Sequence, residues 1–379
     1  MKRILCALLA LLFLTGAGLA EASGNLLGLR LLAGMTDGTQ NAAISPLSLQ
    51  MALSLAREGA AGETRAELDA LLAGDEINLE ALLANARYAD SYAWEGADAV
   101  APGLQYANAA FVAPGVEILP EYKARVDAEW FPLDEDVETI NAWARENTNS
   151  LIDKLLENPL PPDMALCLVN ALSLEAKWEQ QFLEEDTYSG AFFAPEGETE
   201  ADFMYAESDF LYGERDGAQL ACLPYEGTTL AMYVILPEVG GVPAALEALA
   251  REGTAYFADM NYDSEVHLSL PKFSLSYGGS LMDGLKVQGM RIATGANADF
   301  SAMCANAPLY ISNVIQNVRI DVDEKGTSAA AVTALWMCGA AMPEEEPEFV
   351  EMKVNRPFII VIADLDSKAI AFAAVVAEV

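Results

Sequence analysis

The stretch that decides the fold is Asp323-Glu324-Lys325-Gly326-Thr327-Ser328-Ala329-Ala330-Ala331-Val332-Thr333-Ala334, continuing as Leu335-Trp336-Met337-Cys338-Gly339-Ala340-Ala341-Met342. A glycine is followed by a run of small, uncharged residues, and Pro343-Glu344-Glu345-Glu346-Pro347 closes the segment. Alanine is the best helix former, so propensity alone reads this as an alanine-rich helix ending in an acidic loop. Two prolines around three glutamates do not fit a sheet interior and read as exposed chain.

On either side of this stretch the pattern is that of strands. Ile320 and Val322 alternate with Arg319, Asp321 and Asp323, which predicts a strand with one polar side. Val266, Leu268 and Leu270 alternate with His267 and Ser269, and Phe273, Leu275 and Tyr277 resume the pattern after Pro271. Residues 165–174, 230–236 and 358–363 are short apolar runs, as expected of strands buried on both faces. Asp364-Leu365-Asp366-Ser367 is a turn between the last two of them.

The N-terminal half is helical. Ser45-Pro46 predicts an N-cap followed by proline in the first turn, and Leu49, Ala52, Leu53 and Ala56 fall on one face. Thr64-Arg65-Ala66-Glu67 has the form of a capping box, with Leu68, Leu71 and Leu72 as the buried stripe behind it. Further helical patterns cover residues 79–93, 120–128 and 138–156. Helices concentrate early and strands late, so the class is α+β with large mixed sheets. No linker, repeat or low-complexity tract divides residues 23–379, which predicts one continuous domain.

Residues 1–22 read as an address. Lys2 and Arg3 precede an apolar run over residues 4–14, and Ala20-Glu21-Ala22 supplies a small-residue cleavage site. This is the layout of a secretory signal peptide, so the mature chain is expected to begin at residue 23 and to be extracellular. Cys6 leaves with the signal. Cys167, Cys222, Cys304 and Cys338 remain, too scattered for a disulfide scaffold, with room for one bridge that the spacing does not name.

Composition narrows the function. Of 379 residues 53% are hydrophobic, enough for a sizeable core. Lys+Arg 21 against Asp+Glu 57 gives a net charge of −36, which repels nucleic acid, heparin-like polyanions and acidic membranes. A single histidine, His267, excludes multi-histidine metal sites. It lies in an alternating strand with no nucleophile motif nearby, so it reads as structural. GxSxG, P-loop and GxGxxG motifs are absent. The expectation is a protein that is not an enzyme and has no cofactor and no metal.

Taken in order, several segments resemble the serpin family over essentially the whole of residues 23–379. The segment from Glu324 to Ala334 is similar to the serpin reactive-loop hinge. Asn41-x-x-Ile44-Ser45-Pro46-Leu47-Ser48 resembles the entry to the helix beneath the main sheet. Residues 170–178, from Asn170 to Lys177-Trp178, resemble the family's Asn-Ala…Lys-Trp strand. Leu223-Pro224-Tyr225, Leu270-Pro271-Lys272-Phe273, Asp299-Phe300-Ser301 and Asn355-Arg356-Pro357-Phe358 follow in family order. Leu174 and Ala176 stand where many inhibitory members have Phe and Gly. Gln316 stands where many have a histidine bonded to the counterparts of Ser45 and Asn170, and it can donate and accept in that place.

The resemblance implies three β-sheets, eight or nine helices and a reactive-centre loop over about residues 324–352. It implies a hinge of Glu324, Gly326, Thr327, Ala329, Ala330, Ala331 and Thr333. The sheet-opening region is implied at Ser45, Ser48, Asn170, Trp178 and Gln316. A protease attacks the exposed loop, and the cut loop enters the main sheet as a new strand. Residues 327–339 span roughly 43 Å at about 3.3 Å each, enough to drag a tethered protease across the molecule. Thr327, Ala329, Ala331, Thr333, Leu335 and Met337 form the inward face, and none is charged or proline.

Members that only carry, store or chaperone typically spoil this hinge with charged or bulky residues. The expected function is therefore a monomeric inhibitor forming a covalent 1:1 complex with a serine protease, and a non-inhibitory serpin is the alternative. Counting Glu324 as first, the family's scissile bond follows the seventeenth residue, between Ala340 and Ala341. Alanine there suits the shallow pocket of an elastase-like or subtilisin-like protease.

Overall fold

The computed structural model describes residues 23–72, 103–133, 137–148, 150–156, 159–160, 164–327 and 349–379. The signal-peptide reading of residues 1–22, the helical pattern at 79–93, Ala329, Ala330, Ala331, Thr333, Cys338, Ala340 and Ala341 lie outside them.

Three sheets carry the fold, as the resemblance implied. The innermost has six strands in the order β1 (Ala42–Ile44), β16 (Ile370–Val376), β15 (Phe358–Asp364), β9 (Leu230–Leu236), β8 (Ala218–Pro224) and β7 (Leu211–Arg215). Every residue of β9, β15 and β16 is buried, because both faces of this sheet are covered. Ile359 and Val361 face a helical layer, while Phe358, Ile360 and Ile362 face the largest sheet. That layering accounts for the unbroken apolar runs.

The helical layer comprises α1 (Ser23–Met35), α2 (Pro46–Gly59), α3 (Gly62–Leu72), the single turn α4 (Pro120–Lys123), α5 (Glu138–Asn147), α6 (Val242–Glu252) and α7 (Met282–Val287). These are seven α-helices among the described residues, with two 3-10 turns besides. Helix α5 stands apart from the rest. It packs Ile140, Trp143 and Ala144 on the outer face of the largest sheet, against Phe111, Val169 and Ala171.

The largest sheet has the order β11 (Phe273–Ser280), β12 (Ile315–Asp323), β13 (Gly326–Thr327), β4 (Leu166–Lys177), β2 (Gly103–Val112) and β3 (Glu129–Pro132). A four-stranded sheet, β14 (Phe349–Lys353), β10 (Glu265–Pro271), β6 (Gly197–Ser208) and β5 (Tyr188–Ala194), completes the set.

Three local expectations are corrected. Thr64-x-x-Glu67 is not a capping box, because α3 begins at Gly62 and both side chains reach elsewhere. Thr64 accepts the Asp299 N–H at 2.8 Å. The Glu67 carboxylate accepts the N–H groups of Arg291, Ile292 and Ala293 at 2.8–2.9 Å. Helix α5 ends at Asn147 rather than near 156, since Ser150 takes a left-handed φ of 64°. The Asn141 carboxamide then serves the non-helical backbone, accepting from Leu155 and Leu156 and donating to the Leu156 carbonyl. Helix α4 stops after one turn, because the chain must straighten to reach β3.

Glu67→Ala leaves three backbone donors of residues 291–293 without their acceptor, and charged hydrogen bonds are worth about 1.5–3 kcal/mol apiece before water compensates. A loss of about 2 kcal/mol is expected, read as a lowered denaturation midpoint. Glu63→Ala, one turn earlier and exposed, serves as the near-neutral control.

Candidate functional site

Gly326 and Thr327 are already in the largest sheet. As β13 they pair with Asp323 and Val322 of β12 on one side, and with Lys177 and Ala176 of β4 on the other. Glycine is required here, since a Cβ at Gly326 would stand 2.0 Å from the Ala176 carbonyl oxygen. Thr327 is 2% exposed, and its hydroxyl lies 2.6 Å from that of Tyr225. Tyr225 in turn stacks on Trp178 with centroids 4.7 Å apart, and the Trp178 indole donates to the Asp323 carbonyl.

Glu324 is the charged member of the hinge, and it is paid for locally: it is 7% exposed and held by the Thr187 hydroxyl at 2.9 Å and the Lys272 ammonium at 3.2 Å. Burial by itself would raise this carboxyl. Its own backbone N–H, Thr187 and Lys272 more than offset that and hold it below the ordinary glutamate range. Lys325 is tied by its backbone, its carbonyl accepting the Trp178 N–H.

Below Thr327 the sheet is parted. Among the described residues no strand bonds β12 directly to β4. A cleft of about 1130 Å³ lies between them, walled by residues 166–170 and 315–319 and floored by Ser48, Ala52 and Ala56 of α2. At its lower end Ser45 caps α2, accepting the Ser48 N–H at 3.1 Å with Pro46 in the first turn, as the sequence predicts.

Gln316 clasps the same residue, accepting the Ser45 N–H at 2.7 Å and donating to the Ser45 carbonyl at 3.0 Å. The Gln316 link to Asn170 is not formed. Asn170 sits across the cleft on β4, and its amide donates to Asn108 Oδ1 at 2.8 Å instead. Its own Oδ1 is buried without a hydrogen-bond partner. The structure thus joins Ser45, Ser48 and Gln316 at one end of the cleft, and Glu324, Gly326, Thr327 and Trp178 at the other. Sequence reasoning missed Lys272, Thr187 and Tyr225 as hinge contacts, because their partners are more than 50 residues away in the chain.

Residues 22–379 match the profile of the family described as Serpin (serine protease inhibitor). The chain is a serpin. An uncharacterised serpin-like protein of Thermococcus kodakarensis is 31% identical over 352 residues, covering 89% of this chain and 80% of the relative. The native-state crystal structure of the thermophilic serpin tengpin matches with a TM-score of 0.80 at 27% identity, covering 94% of each chain. Human thyroxine-binding globulin, solved with its ligand, matches at 0.79 and 21% identity over 94% of this chain and 97% of its own, a likeness of fold.

Cys167, Cys222 and Cys304 are free thiols in this serpin. Burial pushes Cys167 up to about 11 and Cys222 up to about 12, so neither is a thiolate at neutral pH.

Because the folded Glu324 is depressed, its stabilisation is complete above the unfolded value of about 4.3 and fades as pH falls through the lower folded value. Glu324→Gln is expected to melt below the parent at neutral pH and to converge with it in acid. A gap that stays constant across the pH series contradicts the clamp.

Proposed function

We propose that this serpin is a secreted suicide-substrate inhibitor of serine proteases of the elastase or subtilisin kind. One observation carries the reading: Gly326 and Thr327, the start of the inserting run, are seated between β12 and β4 at the head of the cleft. Extending the register of β13 would set Ala329 between Leu174 and Ile320, Ala331 between Leu172 and Val318, and Thr333 between Asn170 and Gln316. Leu172, Leu174, Val318 and Ile320 belong to the core, so the inserted face meets apolar neighbours until Thr333 brings a hydroxyl to the orphaned Asn170 Oδ1.

The chemistry belongs to the protease. Its serine oxygen attacks the Ala340 carbonyl carbon, the Ala340–Ala341 bond breaks, and the new amine leaves with Ala341. The acyl ester remains on Ala340. Insertion then competes with water for that ester, and it wins only if no unpaired charge has to enter the core. Secretion rests on the Lys2-Arg3, apolar and Ala-x-Ala layout of residues 1–22, and the complex formed is covalent and 1:1.

Incubation with an elastase-like protease is expected to give an SDS-resistant complex and a C-terminal fragment beginning at Ala341, with trypsin uninhibited. A fragment beginning elsewhere, with strong trypsin inhibition, overturns the bond assignment.

Thr327→Arg forces a charge into the site now filled by the Thr327–Tyr225 contact and is expected to convert inhibitor to substrate. Cleavage of the parent loop is expected to raise its melting temperature. A cleaved form no more stable than the intact one supports a carrier role, the use to which thyroxine-binding globulin puts the same fold.

A further inference from the structure

The one histidine of the chain lies on β10, with its side chain on the outer face of the four-stranded sheet. In register with His267 stand Glu207 on β6 and Glu351 on β14, and Glu265 lies two residues earlier on the same strand. Register and period two place all four side chains on one face. The imidazole touches two of its neighbours directly: Nε2 is 3.0 Å from Glu265 Oε1, and Nδ1 is 3.2 Å from the Tyr205 hydroxyl. Tyr205 in turn donates to Glu207 Oε1 at 2.7 Å. Phe349 stacks on the ring at 4.2 Å, nearly parallel, and covers one face of it.

Two carboxylates from neighbouring strands thus converge on one imidazole, with the Tyr205 hydroxyl bridging its far nitrogen to Glu207. One donor atom from each of Glu207, Glu265 and His267 already lies within 4.8 Å of the others. Donors at about 2.0–2.2 Å around a tetrahedral zinc ion stand about 3.4 Å apart, so side-chain rotation of an ångström or so closes the site.

We propose that Glu207, Glu265 and His267 form a binding site for a divalent transition metal, zinc by its donor set, with water in the fourth position. One nitrogen and two carboxylate oxygens suit zinc rather than calcium or magnesium, which favour all-oxygen shells. With the metal on Nε2, Nδ1–H donates to Tyr205 and Tyr205 to Glu207, so every hydrogen is placed. Tyr205 becomes the outer partner that fixes the ring, the usual companion of a ligating histidine. Glu351 adds negative charge from the third strand, and the nearest cation on that strand, Lys353, is turned over the Tyr188 and Phe203 rings. A composition with one histidine excludes multi-histidine sites but leaves this one open. Phe349 opens β14 and stacks on the ring, so a metal that fixes the ring also steadies the start of that strand.

Zinc titration by calorimetry, in a Cys338→Ser background so that no loop thiol competes, is expected to show one saturable site per chain. His267→Gln and Glu265→Gln should each weaken it at least tenfold, and Tyr205→Phe by about tenfold. Zinc should also slow amide exchange at residues 349–353 in the parent and not in His267→Gln. A net charge of −36 attracts divalent ions diffusely, so binding that is unchanged in His267→Gln, or displaced equally well by magnesium, overturns the proposal. So does a His267 ring whose NMR signals do not change through the titration.

Discussion

Two strand edges that face each other without meeting govern this molecule. Strands β12 and β4 are each paired on their outer sides, to β11 and β2, and among the described residues share the two residues of β13 between them. Backbone N–H and C=O groups are obligatory hydrogen-bonding groups, and leaving one buried and unpaired costs about 1–3 kcal/mol. A parted sheet is therefore a demand for a strand, and β13 meets it at the upper end. The layers around it serve that gap. The inner sheet is buried on both faces, α2 supplies a floor that includes Ser48, Ala52 and Ala56, and Gln316 pins the lower end to the cap of α2.

The head of the gap shows why the hinge has its composition. Gly326 is where the backbones come too close for any side chain, and Thr327 gives its hydroxyl to a tyrosine held flat against a tryptophan. The buried charge nearby, Glu324, sits before the inserting run and is matched by Lys272 and Thr187. Past Lys325 the sequence has no charge until Glu344, so nothing in that run would need a buried partner. The same physics explains the four-stranded sheet's opposite character. Its outer face is wet, so Glu207, Glu265 and Glu351 gather round His267 at little cost.

Much of this was legible in the sequence where local rules decide. The cap at Ser45, the buried run of β9, the alternation through β10 and β12 and the turn after Asp364 each follow from residues within a few positions of one another. The misreadings share a cause. Thr64 and Glu67 have the spacing of a capping box, yet a loop more than 200 residues away needed their oxygens more. Ile152, Leu155 and Leu156 keep a helical apolar spacing, yet they are buried without being helical, and the Asn141 carboxamide holds the backbone of the last two. In both, a distant backbone with unmet hydrogen bonds outweighed a propensity worth tenths of a kcal/mol.

The sequence by itself determined the class, the burial of the central strands, the uncharged run after Lys325 and the family pattern, because periodicity and composition encode which faces meet water. Only the tertiary structure decided that Gly326 and Thr327 lie between β12 and β4, that Gln316 reaches Ser45 and leaves Asn170 to Asn108, and that three strands bring carboxylates to one imidazole. Those facts depend on which strands become neighbours. Neighbours are chosen by the whole core at once, and no window of sequence contains it.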